Sequence, residues 1–256
     1  MMKALNSLLL FFLIPLIFST TILILPSSAS GQQLSVEGET GLIWFSRNDV
    51  RIPNDGGTEF DMMNLIGSEV APFFRFRVNL SFDERHTVRA LLAPLSKIGT
   101  GSFDEPIIFE ETTFEANTPI DGTYRFNTYR LTYRYTFYNQ NNWVLGAGLA
   151  GLIRDAEVAL AQPDRSDSSS DFGFVPLLHL YVQRDLGAGL SLTLDGETLA
   201  GPQGRATDAA LTFNYKVSNN WSMNAGYRVL EGGADVDQVY NFAWINYVLI
   251  GLQVDI

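Results

Sequence analysis

Between residues 122 and 138 the chain reads GTYRFNTYRLTYRYTFY, and from Tyr129 onward it alternates without a miss. Tyr129, Leu131, Tyr133, Tyr135 and Phe137 form one set; Arg130, Thr132, Arg134 and Thr136 form the other. A period of two marks a β-strand with two unlike faces, and these residue types are strong strand formers. At roughly 17 residues the segment is far longer than a common soluble strand. The same two-sided pattern recurs at 73–82, where Phe74, Phe76, Val78, Leu80 and Phe82 alternate with Arg75, Arg77, Asn79 and Ser81. Further strands are predicted at 34–47, 87–95, 143–158, 172–186, 190–200, 209–217, 221–230 and 240–256, about ten in all, with no helix among them.

The connections alternate in length. Those at 83–86, 139–142, 187–189 and 218–220 are short, whereas those at 48–59, 96–121, 161–171, 201–206 and 231–238 read as longer polar loops. An up-and-down meander with tight turns at one end and long loops at the other is the pattern of a transmembrane β-barrel, with both termini on the tight-turn side. Residues 60–65 and 107–114 are the segments that would make the count eight or twelve instead.

Periodicity alone does not say whether the greasy face is core or exterior, since a soluble sandwich would bury it. Three features favour lipid. Aromatic residues cluster beside the short turns, at Phe82, Phe137, Tyr138, Trp143 and Trp221, as at a lipid–water boundary. The strands are long and polar on one side only. The polar faces also carry both signs of charge: Arg75, Arg77, Arg89, Arg130, Arg134 and Arg228 against Asp195 and Glu197, with His179 in the same phase as Tyr181 and Gln183. Enclosed in a narrow barrel, these groups must pair with one another, because buried charge is tolerated only when compensated. The expected fold is therefore all-β: a closed antiparallel up-and-down transmembrane barrel with an ion-paired lumen.

Residues 1–30 read as a secretory signal peptide: Lys3, then an apolar run from Leu8 to Leu25, then the small residues Ser27, Ser28, Ala29 and Ser30. Residues 31–256 form the barrel domain. No later segment is an apolar run of spanning length. A net charge of −11 argues against a nucleic-acid partner. The absence of cysteine fits passage through an oxidising compartment.

The leader, the turn asymmetry, the strand running to the C-terminus and runs such as RLTYRY, GPQGRA and YRVLEGGAD resemble Gram-negative outer-membrane β-barrel proteins of the small OmpA-like kind. The resemblance spans the mature chain and implies an outer-membrane location, contact with lipid and lipopolysaccharide, and insertion by the barrel-assembly machinery. Such proteins usually end in an aromatic residue; this chain ends in Ile256, though Leu252, Val254 and Ile256 keep the alternation.

Chemistry is sparsely signalled. There are two histidines. His86 lies beside a short turn, and His179 lies mid-strand. The His-x-Ser pair of barrel deacylases is absent, since Tyr181 follows His179 and Val88 follows His86 at that spacing. No metal-ligand spacing, phosphate loop or cofactor motif is present, and no cofactor is expected. Three functions remain: a structural or interaction barrel acting through its outer loops, a narrow pore for small solutes, or a hydrolase centred on His179 with Asp195 or Glu197 on the next strand. In the first, the acidic residues from Glu110 to Asp121 would offer a site for cations or basic surfaces.

Overall fold

A computed structural model describes residues 31–256, so the expected signal peptide lies outside the described residues. The elements in chain order are β1 (Gln32–Arg51), β2 (Phe60–Asp61), α1 (Met63–Ile66), β3 (Ala71–Phe82), β4 (His86–Ala93), β5 (Ser96–Gly101), β6 (Ile107–Phe109), β7 (Thr112–Phe114), β8 (Ile120–Gln140), β9 (Trp143–Gln162), β10 (Arg165–Gly187), β11 (Leu190–Gly201), β12 (Gly204–Lys216), β13 (Trp221–Val236) and β14 (Val239–Asp255). Each long strand pairs antiparallel with its sequence neighbour, and β1 pairs with β14 from Ser35↔Asp255 to Arg51↔Tyr240. That last ladder closes the sheet on itself. β4 and β5 both pair with β8 and form the lower and upper parts of one stave. They are separated at Pro94, which has no N–H to give a ladder. The result is a closed up-and-down barrel of ten staves.

The faces fall as the alternation predicts. Leu131 is 60% exposed, while its neighbour Thr132 is 2% exposed. The same holds around the wall, where Phe74, Leu149, Leu180, Leu194, Phe213 and Ile250 all face outward and exposed. Such an apolar girdle around a closed barrel is stable only against lipid, because water would penalise its whole area. No helix among the described residues is long and apolar enough to cross a membrane; the crossing is made by strands. Tyr135, Phe137, Trp143 and Trp221 stand exposed at the tight-turn end, the level at which amphipathic rings favour the interface.

The long-loop side departs from expectation. The segments 161–171, 201–206 and 231–238 are not loops; strands run through them and turn at 163–164, 202–203 and 237–238. Their polarity has a simple cause. Above the membrane both faces of a strand can be wetted, so the hydrophobic alternation fades while the ladder continues. True excursions occur at 52–70 and 102–119, and these do not simply project outward. The hairpin β6–β7 and the segment carrying α1 place Phe109, Phe114, Met62 and Leu65 in one buried cluster with the inward-facing Ile43, Phe45, Ile120 and Ile245. Backbone bonds tie the two excursions together, Thr58 N–H to Ile108 O at 2.9 Å and Glu110 N–H to Ile52 O at 2.8 Å. The outer half of the barrel thus has an apolar core of its own, to which 107–114 contributes a hairpin rather than an added stave.

Candidate functional site

Below that core the lumen is crossed by a layer of ion pairs. Alternation on β1 turns Glu37 and Glu39 inward, on β3 Arg75 and Arg77, on β8 Arg130, on β11 Glu197, on β12 Asp208 and on β13 Arg228. Asp208 is the hub: it accepts from Arg75 at 2.8 Å, Arg130 at 3.1 Å and Arg228 at 2.6 Å. Glu39 accepts from Arg77 at 2.9 Å and from Arg228 at 3.0 Å, and Glu37 from Arg77 at 3.1 Å. Arg130 also donates to Glu197, whose other oxygen accepts from the Thr132 hydroxyl at 2.6 Å. Every one of these groups except Glu37 is buried. Buried charges at such spacing persist because each is answered by an opposite one; removing a partner, not the pairing itself, is what carries a large cost.

Toward the tight-turn end Arg89 donates to Asp195 at 2.6 Å and to Asn79 at 3.0 Å. Among the described residues Arg134 has no carboxylate partner within 4.0 Å. Its guanidinium lies 3.9 Å from the Tyr181 ring centroid and donates to Thr87 Oγ1 at 3.1 Å. The Tyr181 hydroxyl donates onward to Gln183 at 2.6 Å. Gly146 makes room for this arm, since a Cβ there would stand 2.9 Å from Arg134 Cδ. These residues border a polar vestibule of about 570 Å³ that reaches the tight-turn end through Ser191, Asn214 and Gln253.

All nine residues singled out from sequence face the lumen: Arg75, Arg77, Arg130, Glu197 and Arg228 in the ion-pair layer, Arg89, Arg134 and Asp195 on the vestibule wall, and His179 beside Asp195 and Glu197 without bonding either. His179 is 1% exposed. Its Nδ1 lies 3.7 Å from Asp195 and 3.6 Å from Glu197, beyond a good hydrogen bond. Among the described residues neither ring nitrogen has a hydrogen-bond partner. His86 stands on the outside, its ring stacked on Phe82 at 5.2 Å and its Nδ1 2.7 Å from the Tyr133 hydroxyl, within the aromatic girdle. Three carboxylates of the network, Glu37, Glu39 and Asp208, are not signalled strongly in the sequence. The spacing of Ser35, Glu37 and Glu39, and of Asp208, Ala210 and Thr212, does hold the inward phase. Among the described residues no group of three or more His, Cys, Asp or Glu is placed to hold a metal ion. Within the acidic segment Asp121 accepts from Thr100 at 2.5 Å and Glu115 pairs with Arg165 at 3.0 Å.

Above the ion pairs lies a second, smaller cleft of about 100 Å³, bordered by Leu152, Val158, Val175, Leu177 and Leu230 and floored by Arg130 and Asp208. No residue borders both this cleft and the vestibule. The ion-pair layer is a septum between them.

A closed ten-stave barrel with a lipid-facing belt, aromatic rings at its tight-turn end and a charged lumen is an integral β-barrel of the bacterial outer-membrane class. No protein-family model and no curated protein sequence matches the chain. Solved structures similar to it include the outer membrane protease OmpT from Escherichia coli, at 10% identity over 90% of this chain and 99% of that one, with a TM-score of 0.48. The attachment invasion locus protein Ail of Yersinia pestis is similar at 12% identity over 89% of this chain and 100% of that one, with a TM-score of 0.37. The neisserial surface protein A (NspA) is similar at 13% identity over 88% and 99%, with a TM-score of 0.35. Likeness at this level assigns no activity to the chain.

Proposed function

We propose that this protein is a closed outer-membrane barrel that acts in structure and interaction at its outer end, and that it does not conduct. The observation that carries this reading is the septum. Within it Arg75 on β3 and Arg130 on β8 reach across the lumen to Asp208 on β12, and Arg130 reaches Glu197 on β11, while Glu39–Arg75 and Asp208–Arg228 link neighbouring staves and Arg228 reaches Glu39 past β14. A ten-stave barrel encloses little more than side chains, so one complete layer suffices to block solutes. The staves and the two excursions raise a folded, polar surface on the outer side, where lipopolysaccharide and external partners would meet it. Insertion would proceed through the assembly machinery acting on β14.

The test is planar-bilayer recording of the mature chain after heat-modifiable gel migration has established folding. The expected record is flat. Discrete steps from the folded protein would replace this reading with a narrow pore. The hydrolase reading has less support, because His179 is enclosed and neither of its nitrogens meets a hydroxyl nucleophile. Unchanged turnover of lipid and peptide substrates in a His179→Ala variant would remove it.

A further inference from the structure

The barrel wall is not equally tall all the way round. On β10, residues 165–177 pair with β9, but their other edge is bare, because the ladder to β11 begins only at Leu178↔Thr198. Pro176 gives the cause. It sits next to the break, has no N–H to donate toward β11, and stops the ladder there. The β11–β12 hairpin turns early, at 202–203, and on its far side Asp235 N–H still bonds Gln203 O at 3.1 Å, so that β13 rises only to Val236. A notch therefore stands beside the bare edge of β10, with the β11–β12 hairpin as its sill.

The outer cleft opens into this notch. It is bordered by inward residues such as Leu177 and Ala206 and also by outward ones such as Ser170 and Arg205, so it passes through the wall. Beside it, on the lipid face of β10, Phe172 and Phe174 are 74% and 70% exposed and continue the belt formed lower down by Leu178 and Leu180. The notch is thus continuous with the lipid-facing surface. Its rim offers little charge for an ionic ligand. Arg125 pairs with Asp155 and Glu157, Arg154 with Asp171, and Arg205 with Glu231. What remains open is apolar wall.

We propose that the notch is a lateral port through which the terminal carbons of one alkyl chain of an outer-leaflet amphiphile enter the cleft and are held against Leu152, Val175 and Leu177, stopping at the septum. Lipid is the occupant because the opening faces the belt, because the walls are aliphatic and because the guanidinium groups at the rim are already neutralised. Lateral entry does not depend on the closed-lumen reading; only the depth at which the chain stops rests on the septum.

The test uses the mature protein in lipid nanodiscs, photolysed with a diazirine-bearing palmitic acid and mapped by peptide mass spectrometry. Label is expected on the inward-facing Leu152, Val175 or Leu177 as well as on belt residues such as Leu194 and Leu211. Excess unlabelled palmitate should suppress the inward label and spare the belt. An Ala206→Trp variant fills the sill from within and should cut inward labelling by about tenfold, the loss given by a 1.4 kcal/mol weaker site, again sparing the belt. Label confined to the belt, or inward label that competitor does not displace, would overturn the proposal, and both outcomes are read on the unmodified protein. A co-purifying protein that protects the bare edge of β10 from hydrogen exchange, with no inward label, would assign the notch to strand addition and overturn it equally.

Discussion

At the scale of single residues, the alternation of β8 sorts side chains into two solvents. Leu131 faces lipid, so Leu131→Arg is expected to cost about 2–4 kcal/mol near the midplane and to abolish efficient insertion. Thr132 is a poor neutral control despite its opposite face, because its hydroxyl donates to Glu197 at 2.6 Å inside the septum. Ser191, in the vestibule, is the better one. Ser191→Arg should fold into vesicles with near wild-type yield, and equal loss at the two positions would contradict the face assignment. Asp208 makes the sharper prediction. It serves three arginines, so Asp208→Ala leaves buried guanidinium charge unanswered and should lower stability by about 3–5 kcal/mol. Urea unfolding in lipid vesicles measures it, and a change under 1 kcal/mol, about the worth of an exposed pair, would mean the network is wet. The arginines were legible in the sequence because they interrupt aromatic runs. Asp208 was not, since it lies among Thr207, Ala209 and Ala210 beside a segment that reads as a turn.

At the scale of elements, the central strands were legible and their outer ends were not. Within the membrane one face is lipid and the other lumen, and the sequence must alternate. Beyond it, β10 reads RSDSSSD, which has no apolar period and looks like a loop, yet it pairs residue by residue with β9 from Arg165↔Gln162 onward. Backbone hydrogen bonds, rather than side-chain burial, hold that part of the strand. The bare edge of β10 gives a measurable signature. Along 166–176, amides bonded to β9 should be protected from hydrogen exchange, while the alternate amides facing the notch exchange like a loop. Uniform protection would mean that β11 or another strand covers the edge. Replacing Pro176 by Val returns the missing donor. It should extend protection into 199–201 by lengthening the β10–β11 ladder; no change there would show that the hairpin, not the proline, sets the notch.

At the scale of the molecule, the lumen is built in two halves by different physics. The outer half is an apolar core in which Phe109 and Phe114 are fully enclosed among β1, β8 and β14 side chains. The inner half is a charged septum above a wet vestibule. The two layers should fail separately. Truncating Phe109 or Phe114 to Ala removes buried aromatic volume and is expected to cost about 3–5 kcal/mol, but the septum beneath is untouched and bilayer current should stay at baseline. Arg130 and Glu197 form a neutral pair that can be removed together, so Arg130→Ala with Glu197→Ala leaves less unanswered charge than either change alone. That double variant joins the outer cleft to the vestibule, and small discrete conductance steps are expected from it. A silent double variant that still folds would place the barrier on the Glu39–Arg228–Asp208 side of the layer. Steps from the phenylalanine variants would instead show that the apolar core, which the alternation of the strands never announced, is what seals the barrel.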